Sequence, residues 1–204
     1  MADTQRAQTE ARTASMKTVH TIKITLRSSR PPIWRRLEVP SRMSLDQLHD
    51  IIQVSFGWGN YHMWDFETAM GRYGEADPDL EILSAASRTL DDVLPSVGDR
   101  LRYTYDFGDS WEHDVLVEAI SPASPGTAYP RCVTGRRACP PEDCGGIWGY
   151  VELLHVLADP GHENHEHRLR WLGLDSADQF DPEAFDLDQT NRNLAGLAQV
   201  LVTA

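Results

Sequence analysis

The sequence predicts an α+β protein with a mixed or antiparallel sheet, in which a β-hairpin, a helix, a strand and a second hairpin precede C-terminal helices packed on that sheet. Three observations predict this class. Strand-like alternation dominates the first 120 residues, one amphipathic helix interrupts it, and helical patterns are concentrated after residue 146. Because helices do not alternate with strands, a doubly wound parallel fold is not expected. A β-grasp-like arrangement of the first 120 residues fits the order.

The N-terminal elements have clear local signals. Val19 to Arg27 alternates apolar and polar residues and predicts a half-buried strand. The two prolines of Arg30-Pro31-Pro32 interrupt it, and Ile33 to Val39 returns as its hairpin partner. Ser44 opens a capping box, and Gly57 ends the helix that follows.

A return strand and a second hairpin are predicted next. The strand covers Trp58 to Ala69, and the weak, acidic pattern from Glu75 to Arg88 predicts a surface excursion. Leu101 to Phe107 and Trp111 to Ala119 form the second hairpin around a Gly-Asp-Ser turn. The predicted core comprises Ile22, Ile24, Leu26, Leu48, Ile52, Phe56, Tyr103, Phe107, Val115 and Val117.

The C-terminal part begins with a long loop. Ser121 to Gly146 is rich in proline and glycine and is predicted to lack a regular element. Helices follow over Ile147 to Ala158 and after a cap at Asp188. We expect residues 1–16 to be a disordered tail and residues 17–204 to form a single domain.

The composition and charge of the sequence limit its expected location and partners. No apolar run is long enough to span a membrane and no secretory signal is visible, so we expect a soluble, cytoplasmic protein with no membrane partner. The odd count of three cysteines favours reduced thiols. A net charge of −12 repels the phosphate backbone, so nucleic acid is not an expected partner.

The cysteines are candidate metal ligands. Cys132, Cys139 and Cys144, with His113 or His155 as the fourth ligand, have the chemistry of a zinc site, which makes Zn the one candidate cofactor. Their spacing is not that of a C-x2-C knuckle, and packed, reduced cysteines are the structural alternative.

A second candidate is a ligand pocket at the second hairpin. Carboxylates and imidazoles near aromatic walls are typical of small-ligand or metal pockets. The candidate residues are Trp58, His62, Asp106, Asp109, Trp111 and His113. The alternation places His113 beside Val115 and Val117, so a structural, hydrogen-bonded histidine is the competing interpretation.

Several motifs in fixed order resemble one family. They are Pro31-Pro32-Ile33-Trp34-Arg35-Arg36, Leu48-His49 with Phe56-Gly57-Trp58, Tyr105 to His113, Ala138 to Gly146, and Asn191-x-Asn193-Leu194. Over residues 17 to 195 the sequence resembles the plasmid pRiA4b ORF-3-like family. The resemblance implies a soluble α+β protein, without an established activity, of a family found on plasmids, chromosomes and some transposons. Some transposon-borne relatives carry a resolvase label, which the resemblance associates with mobile elements and not with a mechanism.

Three functional hypotheses follow. The first is a noncatalytic accessory or binding domain, with or without a metal clip, that uses its aromatic-rich hairpin region for an unknown protein or small-molecule partner. The second is a metal-dependent enzyme that acts through Asp106, Asp109 and His113. The third is a DNA-associated accessory factor of a transposon, which requires the basic stretch from Arg30 to Arg42 to be exposed as one face. The sequence leaves open whether the protein is an enzyme.

Overall fold

A computed structural model describes residues 18–203, with side chains described for residues 18–199, and its mixed sheet and helices confirm the α+β class. The tail predicted for residues 1–16 lies outside this range. The buried apolar residues form a cluster that joins the sheet to the helices. In the described part of the chain, no helix is long and apolar enough to cross a bilayer.

The strands form one sheet in the order β5-β4-β3-β6-β7-β1-β2-β8. Their bounds are β1 Thr18–Leu26, β2 Trp34–Pro40, β3 Trp64–Thr68, β4 Gly71–Gly74, β5 Ile82–Ser84, β6 Arg100–Tyr105, β7 Trp111–Pro122 and β8 Arg131–Arg136. Neighbours pair antiparallel except β4 and β5. β1 is antiparallel to β7, whereas a β-grasp sheet has its first and last strands parallel, so the likeness is limited to a sheet covered by a helix.

Helices cover the sheet, two of them between strands in sequence and three after the last strand. Their bounds are α1 Leu45–Phe56, α2 Leu90–Val93, α3 Gly146–Ala158, α4 His165–Leu172 and α5 Leu187–Thr203, with short 3-10 helices at Ala85–Ser87 and Ala177–Gln179. Helix α1 begins at the predicted capping box, in which Gln47 accepts a hydrogen bond from the Ser44 amide at 3.2 Å. It ends at Gly57, whose φ of 83° is left-handed and suits glycine.

The loop prediction for Ser121 to Gly146 is wrong in part, because Arg131–Arg136 is a strand. This strand β8 pairs with β2 from Trp34 opposite Arg136 to Glu38 opposite Arg131 and forms one edge of the sheet. Its sequence includes a glycine and three polar residues and carries no clear period. The free edge of β2, which no local pattern reveals, stabilises it as a strand.

One further prediction is wrong, and another holds only in part, since most of the predicted surface excursion is exposed. Phe107 does not belong to the core, since it is 36% exposed. Asp106 adopts a left-handed φ of 55°, which ends the β alternation before Phe107. The surface excursion from Glu75 to Arg88 contains β5, and it buries Ile82 and Ala85. The other nine residues predicted for the core are buried.

Candidate functional site

The turn of the β6–β7 hairpin is built on the side chain of Asp106. Its Oδ1 accepts hydrogen bonds from the amides of Gly108 at 2.9 Å and Asp109 at 3.3 Å, and its carbonyl oxygen accepts one from the Ser110 amide at 2.6 Å. Asp106 is only 8% exposed. These bonds orient the carboxylate and leave Oδ2 for another partner.

The segment before α3, residues 139–145, docks against this hairpin together with Gly146, the first residue of the helix. Tyr105 donates to Oε1 of Glu142 at 2.5 Å, and the Gly59 amide donates to Oε2 at 2.9 Å. The indole Nε1 of Trp58 donates to the carbonyl oxygen of Pro140 at 3.0 Å. A carboxylate and a carbonyl of the segment are therefore held by donors from two different parts of the chain.

The same segment touches the hairpin turn directly. The Gly145 amide donates to Oδ2 of Asp109 at 3.1 Å. Gly146 has a φ of 66°, and a Cβ at this position would lie 2.4 Å from the carbonyl oxygen of Asp109. Only glycine allows this approach of the two backbones.

The docking brings a metal-ligating set together. One ligand atom each from His62, Asp106 and Asp143 lies within 4.8 Å of the others, and this is the one such set of three or more found in the described residues. Nε2 of His62 is 3.1 Å from Oδ1 of Asp143 and 3.6 Å from Oδ2 of Asp106. The Nε2 atom is shielded from solvent and has no hydrogen bond of good geometry.

The set is open on one side. The side chain of Asp143 is 67% exposed, that of His62 is 29% exposed and that of Asp106 is 11% exposed. A cation bound here would have a buried ligand beneath it and solvent on the other side. One imidazole with two carboxylates suits first-row divalent cations such as Mn²⁺, Fe²⁺ or Zn²⁺.

Three of the other pocket candidates, Trp58, Trp111 and His113, are buried in the protein interior. Trp58 is 7% exposed, Trp111 is 1% exposed and His113 is fully buried. His113 lies edge-on to Phe56 and Trp58, with ring centroids at 4.9 and 5.3 Å. Desolvation lowers the pKa of His113 to about 3, so the imidazole is neutral at physiological pH. His113 therefore belongs to the core, where neither ring nitrogen has a hydrogen bond of good geometry, and the backbone groups of Tyr103 and Trp111 only partly oppose the lowering of its pKa.

The three cysteines do not form a ligand set within the described residues, since no group of three or more ligand atoms within 4.8 Å of one another includes a cysteine. Cys132 lies on β8, Cys139 accepts a hydrogen bond from Nη2 of Arg35 at 3.1 Å, and Cys144 is buried just before α3. Desolvation raises the pKa of the thiol to about 11 in Cys132 and about 12 in Cys139 and Cys144. The zinc site predicted for them stays a prediction that this arrangement does not support.

The basic stretch from Arg30 to Arg42 is not one free face. Arg35 is 3% exposed, and its guanidinium donates to the carbonyl oxygens of Ser55, Trp34 and Arg136. Arg36 forms a bidentate pair with Glu118 at 2.5 and 2.9 Å. Nε of Arg42 lies 3.8 Å from Oδ2 of Asp91. Much of the positive charge is compensated within the protein.

Sequence reasoning therefore identified His62, Asp106, Asp109 and Trp58 near the docked segment and missed Tyr105, Glu142 and Asp143. The last two lie inside the Cys-Pro-Pro-Glu-Asp-Cys-Gly-Gly motif. These two acids lie between Cys139 and Cys144 in the sequence. The metal prediction considered the cysteine thiols as ligands and overlooked the neighbouring carboxylates. One sequence signal could have identified them. Two adjacent acids lie in a glycine- and proline-rich segment, and such a long segment has to pack against the rest of the protein.

Comparison with known proteins places the chain among proteins without an assigned activity. Residues 18–189 match the family described as Plasmid pRiA4b ORF-3-like protein. The chain is 36% identical over 184 residues to the uncharacterized protein y4hQ of Sinorhizobium fredii (strain NBRC 101917 / NGR234), covering 87% of this chain and 91% of the relative. It is also similar to the crystal structure of a protein of unknown function, MM3350 from Methanosarcina mazei Go1, with a TM-score of 0.76 and 39% identity over 85% of this chain and 97% of that one.

Proposed function

We propose that this chain, which belongs to the plasmid pRiA4b ORF-3-like protein family, is a noncatalytic binding domain that holds one first-row divalent cation on His62, Asp106 and Asp143. The observation that carries the proposal is the convergence of these three ligand atoms within 4.8 Å of one another. They come from three separate parts of the chain, so tertiary structure alone assembles the set.

The cation would act as a clip. Asp106 belongs to the hairpin turn, Asp143 to the docked segment, and His62 to the stretch between α1 and β3. A shared cation would tie all three together and remove the repulsion between two carboxylates that face one imidazole. The exposed side of Asp143 leaves coordination positions for water or for an acidic group of a partner.

The positions of the residues named by the enzymatic hypothesis favour binding over catalysis. The enzymatic hypothesis needs His113 in contact with substrate, and this imidazole is fully buried. Asp109 already accepts a hydrogen bond from Gly145. Within the described residues, Asp106, Asp109 and His113 therefore do not converge as one set, whereas His62, Asp106 and Asp143 do.

The partner we propose is a protein or a small molecule, not a nucleic acid. The net charge of −12 opposes contact with phosphates, and the ion pairs of Arg36 and Arg42 reduce the free positive charge of the basic stretch. An association with mobile elements rests on the family alone and adds no chemistry to the site.

Titration calorimetry with Zn²⁺ and Mn²⁺ on EDTA-treated, dialysed protein tests the proposal. We expect one cation per chain, and a loss of affinity of at least about tenfold in His62→Ala and in Asp143→Asn, because each removes one ligand or its charge. The matched control is Cys139→Ala, which removes a candidate zinc ligand and leaves the three proposed ligands in place.

Two results would contradict the proposal. Absence of binding by either cation would remove the site. Loss of binding in the cysteine variant, with retention in His62→Ala, would move the metal to the thiols as the sequence first indicated.

A further inference from the structure

A separate cavity of about 380 Å³ lies between the end of β1, the hairpin turn and the first turn of α3. Its lining includes Arg27 and Ser28 from the β1 end, Asp109, Ser110 and Glu112 from the hairpin, and Trp148 from the helix. This volume is sufficient for a small molecule or one long side chain. It shares no ligand with the proposed metal site.

The charge of the cavity is negative. Nη1 of Arg27 is 2.7 Å from Oε2 of Glu112, and its Nε is 3.7 Å from Oδ1 of Asp114. The single guanidinium is therefore shared by two carboxylates, and the carboxylate of Asp109 is a third negative group nearby. A cationic ligand would lower this excess of negative charge, whereas an anion would increase it.

One wall of the cavity is an exposed indole. The side chain of Trp148 is on the first turn of α3 and is 81% exposed, although tryptophan is usually highly buried. The face of an indole attracts cations more strongly than the face of a phenol or benzene ring. A planar guanidinium can stack on it and at the same time present its N–H groups to carboxylates.

The cavity also offers free hydroxyls. Ser28 and Ser110 are exposed and line it, and within residues 18–199 neither hydroxyl has a hydrogen-bond partner. Each can accept a hydrogen bond from a ligand N–H. Carboxylates, hydroxyl acceptors and an aromatic face together match a group that has many donors and a delocalised positive charge.

We propose that this cavity binds a guanidinium group, with Trp148 stacking on its face and Asp109 and Glu112 accepting its hydrogen bonds. The guanidinium can belong to a free small molecule or to the side chain of an arginine in a basic segment of another protein. The proposal does not depend on the metal site.

The test is a titration followed through the indole N–H signals of the ¹⁵N-labelled protein. The chain has six tryptophans, and the Trp148 signal is assigned by its disappearance in Trp148→Phe. The probes are agmatine, as a free guanidinium, and a blocked Gly-Arg-Gly peptide. A blocked Gly-Gln-Gly peptide is the neutral control, and inorganic phosphate is the anionic one.

We expect the Trp148 signal to shift with agmatine or with the arginine peptide and to stay in place with the two controls. Shifts with agmatine alone identify a free small molecule, and tighter binding of the peptide identifies a protein segment. Because the side chain of Trp148 is exposed, Trp148→Ala should fold normally, and it should weaken binding by about two- to fivefold, as expected for an exposed cation–π contact. This variant lacks the Trp148 signal, so the affinities of the parent and of every variant are compared by titration calorimetry with the same probes.

Charge variants separate the proposal from a nonspecific effect of acidity. Asp109→Asn keeps an oxygen that can accept from Gly145, and Glu112→Gln frees Arg27 to repel the ligand, so both should weaken binding at least as much as Trp148→Ala. Glu75→Gln removes the same charge after β4 and should leave binding unchanged. A shift caused by phosphate, or equal weakening in Glu75→Gln, would overturn the proposal.

Discussion

The phenolic hydroxyl of Tyr105 donates a hydrogen bond to Glu142 and accepts one from the amide of Tyr61 at 3.0 Å. This one oxygen therefore connects the end of β6 both to the segment before α3 and to the residue before His62. Burial and the bond to Glu142 raise the pKa of Tyr105, which keeps the hydroxyl protonated as a donor. The contact explains how the protein itself holds the three proposed metal ligands near one another.

Removing that hydroxyl should loosen the docked segment. In Tyr105→Phe, Glu142 loses a donor and the Tyr61 amide loses its acceptor, so we expect a loss of about 1–3 kcal/mol in the free energy of unfolding. Glu142→Gln is the matched control, since its amide can still accept from Gly59 and donate to Tyr105. Urea denaturation measures the free energy of unfolding of both variants. An unchanged midpoint in Tyr105→Phe would show that the segment is held by other contacts.

The cation should stabilise the fold if it binds only the folded chain. At a free concentration about one hundred times the dissociation constant, the expected gain is about 2.7 kcal/mol. The measurement is the melting temperature with increasing Zn²⁺ or Mn²⁺. With affinity lowered at least tenfold, His62→Ala should gain about 1.4 kcal/mol or less at that concentration and show a smaller rise in melting temperature. A rise in this variant equal to that of the parent would contradict the assignment of His62.

Gly146 should be intolerant of any side chain. Gly146→Ala places a Cβ 2.4 Å from the carbonyl oxygen of Asp109 and keeps a left-handed φ. Gly126→Ala is the matched control, because its φ of 78° is also left-handed and no atom lies within 4 Å of the added Cβ. We expect about 1 kcal/mol of destabilisation in the control and clearly more in Gly146→Ala. Equal losses in urea denaturation would mean that the backbone of Asp109 moves away freely.

Stability should fall as the solution becomes mildly acidic. Desolvation lowers the pKa of His113 to about 3 and that of His49 to about 4. Smaller opposing effects come from the backbone of Tyr103 and Trp111 at His113 and from the hydrogen bond to Asn60 at His49. Between these values and about 6.5 the unfolded chain binds protons that the folded chain does not, so the unfolding free energy decreases as pH falls. Each histidine contributes a slope of up to about 1.4 kcal/mol per pH unit in that window.

Urea denaturation at pH 7.5 and pH 5 checks this sign. His113→Leu replaces a buried ring that has no hydrogen bond of good geometry by an apolar side chain, so it should remove one histidine's share of the pH dependence. A parent protein that is as stable at pH 5 as at pH 7.5 would show that these imidazoles accept protons in the folded state.

Local patterns determined a large part of this fold. The alternation of Ile22, Ile24 and Leu26 predicted β1, and the capping box and the glycine at its end predicted α1. The hairpin of β6 and β7 also follows from the residues within it. Each signal depends on neighbours only a few positions apart, and the sequence contains them all. The resemblance to the family is likewise a property of the sequence alone, since motifs along the chain carry it.

Only the tertiary structure decided which residues meet. Strand β8 forms because β2 offers it an unpaired edge, and Phe107 is exposed because the turn at Asp106 reverses the alternation. His62, Asp106 and Asp143 come together because Tyr105, Trp58 and Asp109 hold the segment before α3 against the hairpin. Such contacts join parts of the chain that no periodicity relates, since periodicity reports the face on which a residue lies and not the distant residue that it contacts there.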